Sequence, residues 1–200
     1  MSIIEQVKKI IIDRSNKFQE ETKGTKDEYN LWLEHVQYVY KYAVMIANNK
    51  NVDQEVVELS ALLHDIAMTD RNLERSKHNE YGSEIAEQIL LEIGYNPERI
   101  ELVKKCILNH SSKRKKFRTT EEERILVNAD AMAHFDCIES IYSLATKVMG
   151  LNEEDSVQFV KDKLTKDYLE IDEEVRQIVR EKYNMIMKST DMDEVRHLTK

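Results

Sequence analysis

Leu59-Ser60-Ala61-Leu62-Leu63-His64-Asp65-Ile66 is an apolar helical run that ends in a histidine followed directly by an aspartate. A buried helix gains nothing from an imidazole and a carboxylate side by side, because each costs free energy unless it is paired. A divalent cation removes that cost, since neutral imidazole and carboxylate are both good ligands for it. A helix end that simply reaches solvent would carry the same dipeptide. The rest of the chain decides between the two.

Outward from this run the pattern is helical. On its N-terminal side, Asp53 can cap the helix and Glu55 lies in its first turn, where acids suit the helix dipole. Val56, Leu59, Leu63 and Ile66 share one face. Before it, Ile3, Ile4, Val7, Ile10 and Ile11 mark a first helix running to about Glu21, and Thr22 to Thr25 is a break. A second helix is expected from Asp27, with Tyr29, Trp32, Val36, Val39, Ala43 and Ile46 as its apolar stripe and His35 on the stripe's border. Asn48 to Asn51 ends it.

After the run, Ala67 to Lys77 reads as a polar loop of the kind that carries function. A fourth helix is expected from about His78 to Ile93, with Gly82 able to admit a close neighbour and Gly94 as its C-cap. Asn96-Pro97 starts a fifth helix, whose inner residues Ile100, Val103 and Ile107 lead to His110. The basic run Ser111 to Arg118 follows. Thr119 or Thr120, with Glu122 or Glu123 three residues on, makes a capping box for a sixth helix. Its inner side carries Ile125, Leu126, Ala129, Met132 and Ala133, with Asp130 among them in need of a partner. His134 follows one turn later and is expected to reach the pocket, pair with the acid or sit at the surface. Ile138 to Val148 is a further helix. A longer pattern joins Val157, Val160, Leu164, Leu169, Ile171, Val175, Ile178, Val179 and Met185, with no chemistry evident in it. His197 is expected to be exposed in a polar tail.

The composition agrees with helices joined by short loops. The 200 residues include only 4 glycines and 1 proline. Hydrophobic residues at 41% and charged residues at 34% suit a soluble globular chain, expected to form one domain over 1-200. The metal-binding core would span about 27-137 and additional helices about 138-190. The net charge of -8 excludes nucleic-acid binding by bulk electrostatics. Cys106 and Cys137 sit in apolar helical patterns and are expected as buried free thiols. Met1 to Lys8 shows no secretory signal, and no stretch reaches the roughly 18 apolar residues of a membrane span, so the expected location is cytoplasmic.

Taken together, the odd residues are His35, His64-Asp65, His78, His110 and Asp130, each with apolar flanks. The pieces Trp32-Leu-Glu-His35-Val, Ala61-Leu-Leu-His64-Asp65-Ile, His78-Asn-Glu-Tyr-Gly82, Ile107-Leu-Asn-His110 and Ile125-Leu-Val-Asn-Ala-Asp130 occur in this order. The chain thereby resembles the HD-domain metal-dependent phosphohydrolase superfamily, closest to its small stand-alone bacterial members. The resemblance implies an all-α multi-helix bundle. It implies a first metal held by His35, His64, Asp65 and Asp130, and, where a second ion binds, His78 and His110 holding it with Asp65 bridging. Mn, Fe, Co, Ni or Zn suit such ligands. The expected reaction is attack of metal-activated water on a phosphoryl group of a nucleotide or other small phosphate compound, with Asp65 as the catalytic carboxylate holding metal and water.

Lys113 and Arg114, nearest to His110, are the favoured phosphate-binding side chains, with Arg71 and Lys77 as second choices. Met68 stands where some single-metal nucleotidases of the superfamily carry an acid, which weakens the reading as a simple monophosphatase. A di-iron oxygenase and a non-catalytic nucleotide-binding protein are the alternatives. The expected partner is a small phosphorylated substrate. An apolar face on the C-terminal helices would serve a homodimer.

Overall fold

The helix that carries the decisive run, α3 (Gln54–Leu63), is the centre of the molecule. Val56, Val57, Leu59, Ala61, Leu62 and Leu63 are all buried, so it is covered on every side rather than along one stripe. The sequence pattern assigned only one inward face to it. Asp53 caps it, accepting the Val56 N–H at 3.2 Å. Arg99, at the start of the fifth helix, donates to Asp53 and to Glu55, so the two helix N-termini are pinned together.

The computed structural model describes residues 1–48, 50–189 and 191–194. His197 lies outside the described residues. In chain order, α1 is Ile3–Thr22. A π-helical turn at Trp32–Val36 runs into α2, Gln37–Ala47. The segment between α3 and α4 (His78–Glu92) holds two short 3-10 turns, Ile66–Thr69 and Arg75–Lys77. Then follow α5 (Pro97–Asn109) and α6 (Glu121–Ala133). The basic run forms a 3-10 turn at Ser112–Phe117. Beyond it come α7 (Ile138–Ser143), a second π turn (Leu144–Val148), α8 (Glu153–Glu170), α9 (Glu173–Arg176) and α10 (Arg180–Lys188). The fold is all-α, with no strand among the described residues. Around α3 stand α1, α2, α5 and α6; α4 lies on α5, and α8 on α6 and α7. No described helix is long and apolar enough to cross a membrane.

Local chemistry explains most boundaries. Asn96 accepts from the N–H groups of Glu98 and Arg99, with Pro97 at the first helical position. Thr120 and Glu123 form the capping box. Gly94 takes φ +74 after α4, which a side chain would resist.

Three expectations are corrected. The second helix starts after Asn30, whose side chain accepts the Leu33 N–H at 3.0 Å, and not at Asp27. Tyr29 therefore precedes the helix and lines a cavity instead of joining the stripe. The C-terminal pattern breaks at Ile171–Asp172, and Leu169, Ile178 and Met185 are exposed, while Val160, Leu164, Val175 and Val179 are buried.

Candidate metal centre

Three of the histidines are oriented by the same device. His64 flanks the end of α3, and its Nδ1 lies 2.9 Å from the Ala61 carbonyl oxygen. His78 opens α4, with Nδ1 2.9 Å from the Arg75 carbonyl oxygen. His110 flanks the end of α5, with Nδ1 2.6 Å from the Ile107 carbonyl oxygen. A carbonyl only accepts, so each Nδ1 carries the proton and each Nε2 presents a lone pair. In each case the acceptor is three residues back, which aims the ring off the helix end into the interior. His35 arrives from the π turn, a local widening often found where a helix delivers a functional side chain.

These rings converge on two carboxylates. His35 Nε2 lies 3.1 Å from Asp130 Oδ1, 3.7 Å from Asp65 Oδ2 and 3.2 Å from His64 Nε2. His64 Nε2 is 3.5 Å from Asp65 Oδ2. The other oxygen, Asp65 Oδ1, faces the opposite way, 3.6 Å from His78 Nε2 and 3.7 Å from His110 Nε2. Those two Nε2 atoms are 3.1 Å apart. All six residues named from the sequence are thus gathered, and Asp65 stands between two groups of ligand atoms.

The residues fit a metal on three grounds. Asp65 Oδ1 is buried and has no hydrogen-bond partner. His78 and His110 bring two lone pairs to 3.1 Å, a contact that needs a cation or an extra proton between them. An ion about 2.1 Å from each ligand spaces neighbouring ligands by roughly 3.0–3.4 Å, close to the separations seen. The described residues offer such groups at His35, His64 and Asp65, at Asp65, His78 and His110, and at His35, Asp130 and His134. The electrostatics agree. Burial alone would raise the Asp65 and Asp130 carboxyls, but the surrounding histidines hold both well below the usual carboxylate range. Burial lowers His64 to about 4, so its ring is neutral at ordinary pH. At His35 burial opposes a charge, and the Asp130 carboxylate overrides it and draws the ring upward.

His134, expected from the sequence to reach the pocket, pair with the acid or sit at the surface, lines the cavity and forms one wall of the centre. His134 stacks on His35 with ring centroids 5.2 Å apart and an interplanar angle of 17°. Its Nδ1 is 3.1 Å from Asp167 Oδ2 and 3.1 Å from Lys163 Nζ, and its Nε2 is 4.0 Å from Asp130 Oδ1. Asp167 and Lys163 come from α8, where the sequence showed only a solvated face. Their i,i+4 spacing reads as an ordinary helical ion pair, and nothing local points to His134.

Two cavities adjoin the centre. One, of about 260 Å³, includes Asp70, Arg71, Arg75 and His78 in its lining. The other, of about 250 Å³, reaches His35, Asp65, His134 and Lys163. Of the cations named from the sequence, only Arg71 lines either cavity. Lys77 pairs with Glu74 at 3.2 Å, Arg114 donates to Asn109 Oδ1 at 3.0 Å, and Lys113 is exposed. The basic run turns outward because Arg118 ties it back, donating to the Asn109, His110 and Ser111 carbonyls. Arg75, which the sequence did not single out, lines both cavities.

Comparison with known proteins places these residues in a wider set. A family model described as the HD domain matches residues 32–134. An uncharacterised protein of Clostridium beijerinckii is 30% identical over 105 residues, covering 52% of this chain and 64% of its own length. The cyanamide hydratase DDI2 of Saccharomyces cerevisiae is 32% identical over 85 residues, covering 39% of this chain and 38% of its own length. The chain therefore spans less than two thirds of the curated relatives it matches. The crystal structure of Bacillus subtilis YpgQ in complex with ADP superimposes with a TM-score of 0.62 at 22% identity, over 94% of this chain and 95% of that one.

Proposed function

The chain belongs to the HD domain family, and from that premise we propose that it is a metal-dependent phosphohydrolase acting on a nucleotide or similar small phosphate compound. The observation that carries the reading is the division of Asp65, with one oxygen toward His35 and His64 and the other, unpartnered, toward His78 and His110. His35, His64, Asp65 and Asp130 would hold one ion, and His78 and His110 a second with Asp65 between. When bound, the metal supplies Lewis acidity toward a phosphoryl oxygen and a water of lowered pKa. Mn, Fe, Co, Ni or Zn suit these ligands.

The remaining work belongs to the side chains. Asp65 fixes the centre from both sides and orients the attacking water. The backbone carbonyls behind His64, His78 and His110 keep their lone pairs aimed inward, as outer partners of ligating histidines do. Arg71 offers positive charge to the phosphate from the cavity that His78 borders. Residues 1-200 act as one HD-type domain, in which α8 contributes Lys163 and Asp167 to the wall. The ADP in the YpgQ crystal supports a nucleotide as the substrate class.

The test is metal content of the purified protein together with phosphate or pyrophosphate release from a panel of nucleotides under Mn, Co, Ni and Mg. His64→Ala and Asp65→Ala run beside it. Release that vanishes in both variants is the expected result, and no release under any metal overturns the reading. The match to cyanamide hydratases favours a second reading, in which the same centre adds water to a nitrile carbon. Urea formed from cyanamide, with no phosphate released from the panel, would establish it.

A further inference from the structure

The two cavities meet at Arg75. Asp27, Met68 and Arg75 line both. Beyond them the cavities differ in character. The first is polar, with Asp70, Arg71, Glu74 and His78. The second is lined by His35, Asp65 and His134 together with the apolar Ile141, Leu144, Val148 and Phe159. Its volume is about 250 Å³.

Arg75 is also a guanidinium whose donors are free. Arg71 has Asp27 Oδ2 at 3.9 Å, and Lys163 has Asp167 at 2.6 Å. Among the described residues, the Arg75 side chain makes no ion pair and no hydrogen bond. It sits three residues before His78, and its own carbonyl orients that ring. A planar fork with free donors beside a candidate metal centre is suited to bidentate phosphate binding.

The apolar cavity is built by both π turns. Trp32–Val36 supplies Glu34 and His35, and Leu144–Val148 supplies Leu144 and Val148. Glu34 is fixed there, accepting from the Asn30 N–H at 2.8 Å and from Ser140 Oγ at 3.0 Å. A fixed carboxylate in the same cavity as the Phe159 ring and aliphatic walls suits a flat heterocycle with N–H groups on its edge.

We propose, on the phosphohydrolase reading, that the substrate spans this junction, its phosphate gripped by Arg75 and its nucleobase lodged between Leu144, Val148 and Phe159 with an N–H edge toward Glu34. Arg75 then sets affinity for the phosphate, and the second π turn sets the preference for a nucleotide over bare phosphate chains.

Calorimetric titration of the Mn-loaded protein tests this, with α,β-methylene-ADP and methylenediphosphonate as probes whose P–C–P bridge resists hydrolysis. Wild-type protein is expected to bind the nucleotide analogue more tightly than the diphosphonate. Arg75→Gln is expected to weaken both by about tenfold or more. Phe159→Ala, and Leu144→Ala at the exposed rim where truncation spares the core, are expected to weaken only the nucleotide analogue. Equal wild-type affinity for the two probes overturns the base pocket, and unchanged binding by Arg75→Gln overturns the clamp. The expected binding pattern without phosphate release from any nucleotide would keep the cleft and reject the hydrolase. Phosphate release with Arg75→Gln binding like wild type would keep the hydrolase and reject the cleft.

Discussion

The Cβ that Gly82 lacks would stand 3.1 Å from the carbonyl oxygen of His64. That carbonyl belongs to the peptide joining His64 to Asp65, so it cannot retreat without moving two candidate ligands. A methyl group in α4 favours the helix by about 1 kcal/mol over glycine, which offsets part of the steric cost. Gly82→Ala is therefore expected to leave metal-free stability within about 1 kcal/mol of wild type. Its metal affinity should fall by about tenfold, as for a lost outer-shell support. Metal titration followed by elemental analysis checks this, and unchanged affinity would show that α4 can shift as a unit.

Asp65 serves both ligand groups, whereas His110 serves one. Asp65→Asn is expected to strip metal from both, and His110→Ala to leave the ion at His35, His64 and Asp130. Metal content after exhaustive dialysis distinguishes them. Metal should also stabilise the wild-type fold, by about 2.7 kcal/mol at a hundredfold excess over Kd. A melting temperature that chelator does not lower would count against the centre.

His134 is held from behind by Asp167, itself buried. Burial would raise the Asp167 carboxyl, but His134 and Lys163 outweigh it and hold it below its ordinary value. Asp167→Asn keeps the shape and removes the charge. Turnover is expected to drop about 10- to 100-fold, the usual cost of losing an outer partner of a site histidine. Metal content should stay at the wild-type level. Loss of metal instead would mean that His134 is itself a ligand.

Glu123 provides a stability test, anchoring the end of α5 at the residue before His110. Its carboxylate is 1% exposed and accepts from Asn109 Nδ2 at 2.6 Å and from the Thr119 and Thr120 N–H groups at 2.8 and 2.9 Å. Burial would raise it, but these donors prevail and its pKa is lowered. A carboxyl lowered on folding stabilises fully above its unfolded pKa of about 4.3, and that contribution fades as pH falls from there through the folded value. Glu123→Gln is expected to cost about 1–3 kcal/mol at pH 7. Denaturant midpoints for the two proteins should converge as pH drops from 5 to 3. A constant gap would show that the bonds do not depend on the charge.

The sequence alone determined the all-α class, the central helices with three of their N-terminal caps, and the identity of the converging residues. Asp53, Asn96-Pro97 and Thr120 with Glu123 act within one turn of chain, so spacing reveals them. An imidazole and a carboxylate at the end of an apolar run are anomalous wherever the helix packs, which exposed His64 and Asp65. The tertiary structure decided the rest. The Asp65 oxygens divide because α3 ends between the His35 and His110 sides. Asp167 reaches His134 because α8 lies across α6. The basic run faces outward because Arg118 ties it back, and no acid among the described residues pairs with Arg75. Such pairings join segments far apart in the chain and depend on packing, and no local spacing encodes them.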